Sequence, residues 1–300
     1  MAKPTSKASA EVLAPGSHAL VTGGSSGIGK ATARQLLERG MNVTLLARDL
    51  AKLDAARAEL AVASQPEQRI EVVASDVSDR PQLEAAIAGA IATLGAPSLL
   101  VTSAGIAHPG YFSDLPIDIF ERTMAVNYFG TLYAIRAVLP AMLEAGHGHL
   151  ALVSSGAGLV GLYGYTPYSP SKFALRGLAE ALRGELKPSG IGVSIVYPPD
   201  TDTPQLAEEN KTKPAETKAI TATADTWSAD GVATAIVTGI AQNRFAITPG
   251  TEMRVLNRFH SVLAPALNRY FDQLVAKVKR EQALNPEEVA ATAQNVSPDA

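Results

Sequence analysis

The chain has 300 residues, of which 46% are hydrophobic and 18% charged, values that are ordinary for a globular protein. This length can bury one substantial core, so disorder throughout the chain is excluded. The formal net charge of −3 gives no overall attraction for a nucleic-acid backbone. Because there is no cysteine, disulfides, thiolate catalysis and cysteine zinc sites are excluded, and we predict no metal site.

The two ends of the chain are polar. Residues 1–16 lack the continuous apolar stretch of a signal peptide, and we expect them to be disordered. The tail, residues 281–300, is expected to be disordered as well. No uncharged apolar run reaches the length of about 18 residues that suggests a spanning helix. We therefore expect a cytoplasmic protein without a transmembrane helix, with peripheral membrane contact left open.

Short β-rich runs alternate with longer helical stretches along the chain. Strands are predicted at residues 18–22, 42–47, 69–74, 98–102, 149–154, 192–197 and 244–248. Helices are predicted at residues 28–38, 50–62, 79–94, 117–143 with a break near Asn127, 169–187 and 230–240. Nearly continuous apolar strands indicate burial on both faces. We predict an α/β fold over residues 17–252, a doubly wound Rossmann-type parallel sheet of about seven strands with helices on both faces.

Two segments lie outside this alternation. Residues 205–227 are polar, and we expect a long loop that serves as a substrate lid. Residues 253–280 show apolar positions at helical spacing together with six basic residues, which predicts an amphipathic C-terminal helix. Such a helix can lie on an anionic membrane, or it can pack on its own domain or on a dimer partner with a kink at Pro265.

A glycine-rich turn separates the first predicted strand from the first predicted helix. It reads Thr22-Gly23-Gly24-Ser25-Ser26-Gly27-Ile28-Gly29. Glycine there lets a pyrophosphate approach the backbone and lets the helix pack on the strand. The free N–H groups at the helix start then face the phosphates. The turn predicts a dinucleotide site, with an ordinary strand-to-helix turn as the alternative.

The glycine spacing resembles the signature Thr-Gly-x-x-x-Gly-x-Gly of the classical short-chain dehydrogenase/reductase family. This resemblance implies a nicotinamide cofactor and a homo-oligomer, a dimer or tetramer. Where the family usually has Asn-Asn-Ala-Gly, this chain has Thr102-Ser103-Ala104-Gly105, a departure that we do not expect to affect activity. The predicted cofactor-binding residues are Thr22, Gly23, Ser25, Ser26, Gly27, Ile28, Gly29, Arg48, Asp76, Val77, Ala104, Gly105, Tyr168, Lys172, Pro198, Thr201 and Thr203.

The end of the second strand distinguishes NADP from NAD. An acidic residue there would bind the 2′-hydroxyl of the adenosine ribose and repel a phosphate. This chain has Ala47 and then Arg48, whose guanidinium can pair with a 2′-phosphate, while Asp49 is expected to face away. We therefore predict NADPH, with a solvated surface arginine as the alternative for Arg48. Asp76 matches the family's adenine-contacting Asp, or else it or Ser78 caps the next helix.

Tyr168 and Lys172 are four residues apart, which places both on one face of a helix. A nearby ammonium lowers the pKa of a phenol from its usual value of about 10, toward neutral pH. Ser155 ends the fifth strand, where its hydroxyl can donate to a carbonyl oxygen, whereas Ser154 points to the other face. The resemblance adds Asn127 as the residue that holds a water for proton relay.

These residues predict hydride transfer from NADPH to a carbonyl carbon. In this prediction Ser155 polarises the carbonyl oxygen and Tyr168 delivers the proton. Lys172 lowers the pKa of Tyr168 and hydrogen-bonds the nicotinamide ribose, and Asn127 supports the proton relay. The cofactor carries the hydride chemistry, and the protein positions it.

Residues 154–218 resemble a narrower group, the 3-ketodihydrosphingosine reductases, most clearly in the run PPDTDTPQLAEENKTKPAETK. This implies reduction of the 3-keto group of 3-ketosphinganine to sphinganine in sphingolipid biosynthesis. The candidates that can meet the ammonium of this long-chain keto-amine, or are merely solvated lid charges, are Asp202, Glu208 and Glu209. The candidates for an apolar substrate site, or for the core, are Leu159, Leu162, Tyr163 and Tyr165.

Two other interpretations remain open at this point. The chain can be a short-chain reductase of another lipophilic carbonyl, such as a steroid, a retinoid or a β-ketoacyl substrate. It can also be a scaffold that binds NADP(H) without turnover. The complete set of Ser155, Tyr168, Lys172 and Asn127 argues against a scaffold, because such a protein has no chemical need of all four. A nucleic-acid binder is supported neither by charge nor by motif.

Overall fold

The computed structural model describes residues 11–222 and 225–284. The strands are β1 (His18–Thr22), β2 (Asn42–Ala47), β3 (Ile70–Ala74), β4 (Pro97–Thr102), β5 (Gly148–Val153), β6 (Ile191–Val196), β7 (Thr201–Asp202), β8 (Trp227–Ser228) and β9 (Ala246–Ile247). The α-helices are α1 (Gly27–Leu37), α2 (Leu50–Ala61), α3 (Arg80–Leu94), α4 (Ile117–Met124), α5 (Gly130–Ala145), α6 (Tyr168–Leu186), α7 (Pro204–Thr212), α8 (Ala215–Thr221), α9 (Ala229–Ala241) and α10 (Gly250–Leu284). A π-helical turn, Ala125–Phe129, joins α4 to α5.

Seven parallel strands form the main sheet, in the order β3-β2-β1-β4-β5-β6-β9. The predicted fold class, a doubly wound parallel sheet of about seven strands, is confirmed. Chain order runs outward from β1 to β3 and then crosses to β4 on the other side of β1. Ligands of doubly wound sheets bind outside the carboxyl ends of the strands at this reversal.

Side chains of the central strands alternate between two apolar layers. In β1, Ala19 and Val21 belong to one layer and Leu20 to the other. Helices α1, α2 and α9 contribute to the first layer, and helices α3, α5 and α6 to the second. This two-sided burial explains why the central strands are continuously apolar rather than alternating.

The N-terminal segment differs from the disorder expected for residues 1–16. Val12 is buried in the first apolar layer, and Ser98 Oγ donates to the Val12 carbonyl at 2.7 Å. The burial of Val12 and the hydrogen bond from Ser98 together hold this segment against the domain. Residues 1–10 and 285–300 lie outside the described residues, and residues 281–284 are the end of α10.

The segment expected as a loop at residues 205–227 contains α7 and α8. Thr203 caps α7, because its Oγ1 accepts the Leu206 N–H at 3.3 Å. Pro204 occupies the first helical position, where its missing N–H costs no hydrogen bond. β7 and β8 pair with each other beyond the main sheet. The polar segment expected to be a lid is therefore ordered by capping and by strand pairing.

The C-terminal helix α10 is 35 residues long, and none of its residues is buried. Its first turns contact the domain, because Leu256 packs on the second apolar layer and Arg176 Nη1 donates to His260 Nε2 at 3.2 Å. Farther along, Val262 and Tyr270 are exposed. The helix continues through Pro265 to Leu284.

Candidate active site

One cleft of about 330 Å³ follows the carboxyl ends of the strands, beside the reversal between β1 and β4. Most of the predicted cofactor and catalytic residues line it. They are Gly23, Ser25, Ser26, Gly27, Ile28, Arg48, Asp76, Val77, Ala104, Gly105, Ser155, Tyr168, Lys172, Pro198, Thr201 and Thr203. Thr22, Gly29 and Asn127 are not part of its wall.

The glycine-rich turn is shaped by close backbone packing. A Cβ on Gly29 would lie 2.3 Å from the Gly23 carbonyl oxygen, and a Cβ on Gly23 would lie 2.7 Å from the Ala104 nitrogen. Gly23 and Gly27 also have positive φ, of 69° and 52°. Thr22 supports the turn from below, since its Oγ1 accepts the Ala104 N–H at 3.2 Å. Thr22 and Gly29 therefore fix the shape of the turn from behind and do not line the cleft.

The start of α1 faces the cleft without a side-chain cap. Ser26 is the N-cap residue, and its hydroxyl makes no capping hydrogen bond. The first N–H groups of the helix are thus available to an acceptor in the cleft. Thr203 closes the opposite side, because its methyl would be 3.0 Å from a Cβ on Gly27. This arrangement fits the diphosphate of a dinucleotide.

At the far end of the cleft, beyond β2, lie two cationic side chains that are four residues apart in the sequence. Arg48 is exposed and lines the cleft, and Lys52 lines it as well. Asp49 also reaches the cleft wall, but its Oδ1 caps α2 by accepting the Lys52 N–H at 3.1 Å. Lys52 Nζ also lies 3.9 Å from Asp49 Oδ2. This end of the cleft therefore presents two positive side chains and one carboxylate, which the Lys52 backbone and side chain both engage.

Asp76 does not cap the helix that follows β3, and neither does Ser78. Asp79 is the cap of α3, with its carboxylate accepting the Gln82 N–H at 3.1 Å. Asp76 Oδ1 instead accepts the Ser78 N–H at 2.9 Å and the Ser78 hydroxyl at 2.7 Å. Burial opposes ionisation of Asp76, but these bonds and the positive charge of Arg48 lower its pKa overall. Asp76 is therefore a negative group on the cleft wall.

At the other end of the cleft, Tyr168 and Lys172 lie on the first turns of α6, and both are buried. Lys172 Nζ donates to the Val153 carbonyl at 3.1 Å and lies 5.4 Å from the centre of the Tyr168 ring. Ser155, just after β5, lines the cleft with Tyr168 and lowers the pKa of its phenol. Ser154 points elsewhere, since its hydroxyl donates to the Lys172 carbonyl at 3.0 Å. The structure therefore brings Ser155, Tyr168 and Lys172 together.

Burial controls the protonation of both α6 side chains. It raises the pKa of Tyr168, and the negative charge of Glu209 raises that pKa further, whereas hydrogen bonds with Ser155 and Gln205 lower it. Burial also lowers the pKa of Lys172 to about 8, against the opposing charge of Glu209. The expected lowering of the Tyr168 pKa is therefore wrong, because desolvation raises that pKa. The phenol stays protonated at neutral pH, as a proton donor requires.

Asn127 occupies the π-helical turn, which accounts for the helix break predicted there. Its Nδ2 donates to the Ile106 carbonyl at 3.0 Å and to Ser171 Oγ at 2.9 Å, and its Oδ1 accepts the Ile106 N–H at 2.9 Å. The fully buried side chain joins the segment after β4 to helix α6. Asn127 therefore braces the wall behind Tyr168 and Lys172.

Helix α7 covers the catalytic end of the cleft with Gln205 and Glu209, one turn apart. Glu209 is 8% exposed, and its two oxygens accept from the Tyr165 hydroxyl at 2.6 Å and from Gln205 Nε2 at 2.8 Å. Gln205 lines the same cleft wall as Tyr168, and it lowers the pKa of that phenol. Gln205 therefore lies between the catalytic end of the cleft and a buried carboxylate.

The other candidates for substrate contact separate into two sets. Leu162 and Tyr165 line the cleft, whereas Leu159 is packed in the second apolar layer and Tyr163 stands outside the cleft wall. Of the three acidic candidates, Glu209 alone lines the cleft. Asp202 is exposed, and Glu208 is exposed and paired with Lys211 at 2.6 Å.

Several residues of the site were missed in the sequence analysis. Lys52 follows Arg48 at i+4, and Gln205 precedes Glu209 by the same spacing, a signal that helical periodicity would have revealed. Tyr111 and Glu216 lie far apart in sequence, yet the Tyr111 hydroxyl donates to the buried Glu216 carboxylate at 3.0 Å. This hydrogen bond connects α8 to the segment before α4, and no local sequence pattern predicts it.

Residues 17–214 match the short chain dehydrogenase family. The chain therefore belongs to this family of oxidoreductases, and its cofactor is a nicotinamide nucleotide.

The chain is more specifically similar to proteins described as 3-dehydrosphinganine reductase or 3-ketodihydrosphingosine reductase. A 3-dehydrosphinganine reductase of Danio rerio is 45% identical over 252 residues, 83% of this chain and 76% of that protein. A 3-ketodihydrosphingosine reductase of Bos taurus is 45% identical over 253 residues, with coverages of 84% and 76%. The protein of that description from Dictyostelium discoideum is 41% identical over 280 residues, with coverages of 88% and 84%.

Solved structures agree with the fold. A short chain dehydrogenase/reductase of Burkholderia phymatum, in complex with NAD, superposes with a TM-score of 0.74 at 25% identity, over 84% of this chain and 95% of that one. Levodione reductase, at 22% identity and a TM-score of 0.70, shares the fold over 78% of this chain and 95% of its own. Within residues 11–222 and 225–284, no helix combines the length and apolar character needed to cross a membrane.

Proposed function

We propose that this protein reduces the 3-keto group of 3-ketosphinganine to the alcohol of sphinganine, with NADPH, in sphingolipid biosynthesis. The observation that carries the proposal is the cleft, which joins a dinucleotide cradle at one end to Ser155, Tyr168 and Lys172 at the other. Relatives described as 3-ketodihydrosphingosine reductases, at 41–45% identity over most of the chain, support the choice of substrate.

The catalytic end supplies a proton to a carbonyl oxygen. The Ser155 hydroxyl and the Tyr168 phenol line the same end of the cleft, so both can donate to one substrate oxygen placed between them. When bound, a reduced nicotinamide supplies the hydride to the carbonyl carbon. Tyr168 then gives its proton to the oxygen, which completes the alcohol. Because burial keeps the phenol protonated, this arrangement suits reduction.

Lys172 and Asn127 hold this arrangement in place. Lys172 is buried beside the Tyr168 ring, where its ammonium can donate to the nicotinamide ribose and stabilise the phenolate left after proton transfer. Asn127 fixes α6 against the segment after β4 and supports the return of a proton to Tyr168.

The selectivity for NADPH rests on the exposed end of the cleft. Arg48 and Lys52 both line this end, which supports the proposal that they bind a 2′-phosphate on the adenosine ribose. The carboxylate of Asp49 is engaged at the start of α2. An NAD-specific site would instead present a carboxylate free to accept the 2′-hydroxyl.

The test is NADPH oxidation by the purified protein with 3-ketosphinganine in mixed micelles. NADH and a short β-keto thioester serve as controls for cofactor and substrate. We expect turnover that needs both NADPH and 3-ketosphinganine. Equal turnover of the thioester would contradict the substrate, and equal turnover with NADH would contradict the role of Arg48 and Lys52.

A further inference from the structure

Glu209 is a buried carboxylate at the catalytic end of the cleft. It is 8% exposed although it belongs to a short polar helix, and it lines the same cleft as Tyr168 and Lys172. Two neutral donors, the Tyr165 hydroxyl and the Gln205 amide, hydrogen-bond its oxygens. Removing a carboxylate from water is costly unless it is paired, so this position needs a reason beyond folding.

Within the described parts of the chain, no cation forms a salt bridge with Glu209. The nearby Lys213 is buried, but its Nζ pairs with Asp200 at 3.4 Å. Lys172 Nζ donates to the Val153 carbonyl. A buried carboxylate held by two neutral donors, and open to a cleft, is suited to receive a cation from a ligand.

Two side chains that hold this carboxylate also lie beside the reacting oxygen. Gln205 Nε2 donates to Glu209 at 2.8 Å and lines the cleft together with Tyr168. The rings of Tyr165 and Tyr168 are 5.5 Å apart, so the hydroxyl that holds Glu209 is also a neighbour of the catalytic phenol. In an α-amino ketone the nitrogen sits on the carbon next to the carbonyl, and a ketone bound at Tyr168 therefore directs its ammonium to this neighbourhood.

We propose that Glu209 is the ammonium-binding subsite of the active site and selects primary α-amino ketones over ketones without the amine. This rests on the proposed function, since it assigns the group that recognises the charged end of that substrate. Tyr165 and Gln205 hold the carboxylate in position. Glu208, its neighbour in sequence, points away from the cleft, where it pairs with Lys211.

The experiment compares two substrates in three proteins. The substrates are 3-ketosphinganine and its deaminated analogue, 1-hydroxyoctadecan-3-one, in the same mixed micelles with saturating NADPH. The proteins are the wild type, Glu209→Gln, which keeps the shape and an acceptor for Tyr165, and the matched exposed control Glu208→Gln. Binding of a soluble short-chain sphinganine to each protein without cofactor is measured by calorimetry.

We expect Glu209→Gln to lower kcat/KM for 3-ketosphinganine on the order of 100-fold, since a charge-assisted hydrogen bond is lost from a buried site. Turnover of the deaminated analogue should fall much less than turnover of 3-ketosphinganine, because it loses only the effect of the Glu209 charge on Tyr168 and Lys172. Short-chain sphinganine should bind the wild type and Glu208→Gln alike, and Glu209→Gln much more weakly. An equal loss for both substrates would overturn the proposal, because Glu209 would then act through Tyr168 or Lys172.

The failure of this subsite and that of the proposed function give different results. If the wild type reduces 3-ketosphinganine and Glu209→Gln still discriminates between the two substrates, the subsite is wrong and the function stands. If the wild type does not reduce 3-ketosphinganine but binds short-chain sphinganine through Glu209, the function is wrong and the ammonium site stands. Amine binding that is identical in all three proteins would overturn the subsite directly.

Discussion

The two ends of the cleft use charge in opposite ways. At the β2 end, Arg48 and Lys52 are exposed to solvent and line the cleft. At the α6 end, Tyr168, Lys172 and Glu209 are all buried. Solvent screens the first group strongly, while burial changes the pKa values of Tyr168 and Lys172.

This difference indicates a division of labour. Exposed cations can select a phosphate at small cost to folding, because they stay hydrated and their exact placement contributes little to stability. Buried groups carry the proton chemistry, and they depend on helix α7 and its neighbours to exclude water. Changes at the α6 end should therefore affect turnover, and changes at the β2 end should affect cofactor affinity.

The largest effect is expected from Tyr168→Phe. Removing the phenolic hydroxyl deletes the proton donor, and kcat for 3-ketosphinganine should fall about 10³- to 10⁴-fold. The ring still fills its buried position, so folding and NADPH affinity should change little. Steady-state kinetics and a fluorescence titration with NADPH measure the two quantities. Substantial turnover by this variant would remove Tyr168 from the mechanism.

At the opposite end, Arg48→Ala should raise the KM for NADPH by about tenfold, because one charge-assisted contact to the 2′-phosphate is lost. The KM for NADH should stay nearly unchanged, since NADH lacks that phosphate. Lys52→Ala should act in the same direction with a smaller effect. Equal changes for the two cofactors would contradict phosphate recognition by Arg48.

The pH profile tests the buried end without mutation. Because Lys172 has a pKa of about 8, it loses its charge as the pH rises through that value, whereas Tyr168 keeps its proton. We expect kcat/KM for NADPH, which reports on the free enzyme, to fall above about pH 8. A profile that stays flat to about pH 10, where an unperturbed lysine titrates, would contradict the lowered pKa.

The smallest effect concerns the lid. Tyr111→Phe removes one hydrogen bond from the buried Glu216 carboxylate and should lower the free energy of unfolding by about 1–2 kcal/mol in urea denaturation. Turnover should change less than stability. Glu208→Gln, which breaks an exposed ion pair, serves as the control with a change below about 0.5 kcal/mol. Equal stability of Tyr111→Phe and the wild type would show that this bond does not secure α8.

Much of the predicted cofactor-binding part of the cleft could be derived from sequence because its sequence patterns are local. The apolar strands, the glycine turn and the basic residue after β2 each occupy a few consecutive positions. The predicted strand 42–47 agrees with β2, and the predicted strand 244–248 shortens to Ala246–Ile247. The spacing of Tyr168 and Lys172 likewise depends only on one helix.

The lid could not be predicted because its order comes from distant contacts. Its polar composition indicates a loop, yet the Thr203 cap starts a helix, and bonds from Tyr165 and Tyr111 hold two carboxylates beneath it. The raised pKa of Tyr168 was missed for the same reason. Spacing reveals the nearby ammonium but not the burial that outweighs it.

The most direct test of this division is a double-mutant cycle with NADPH and 3-ketosphinganine. It compares kcat/KM for 3-ketosphinganine, at one subsaturating NADPH concentration, in four proteins. These proteins are the wild type, Arg48→Ala, Glu209→Gln and the double variant. We predict turnover by the wild type and losses that multiply in the double variant, because sites without shared partners act independently. A wild type that does not reduce 3-ketosphinganine, or a double variant no slower than the poorer single variant, would contradict the account.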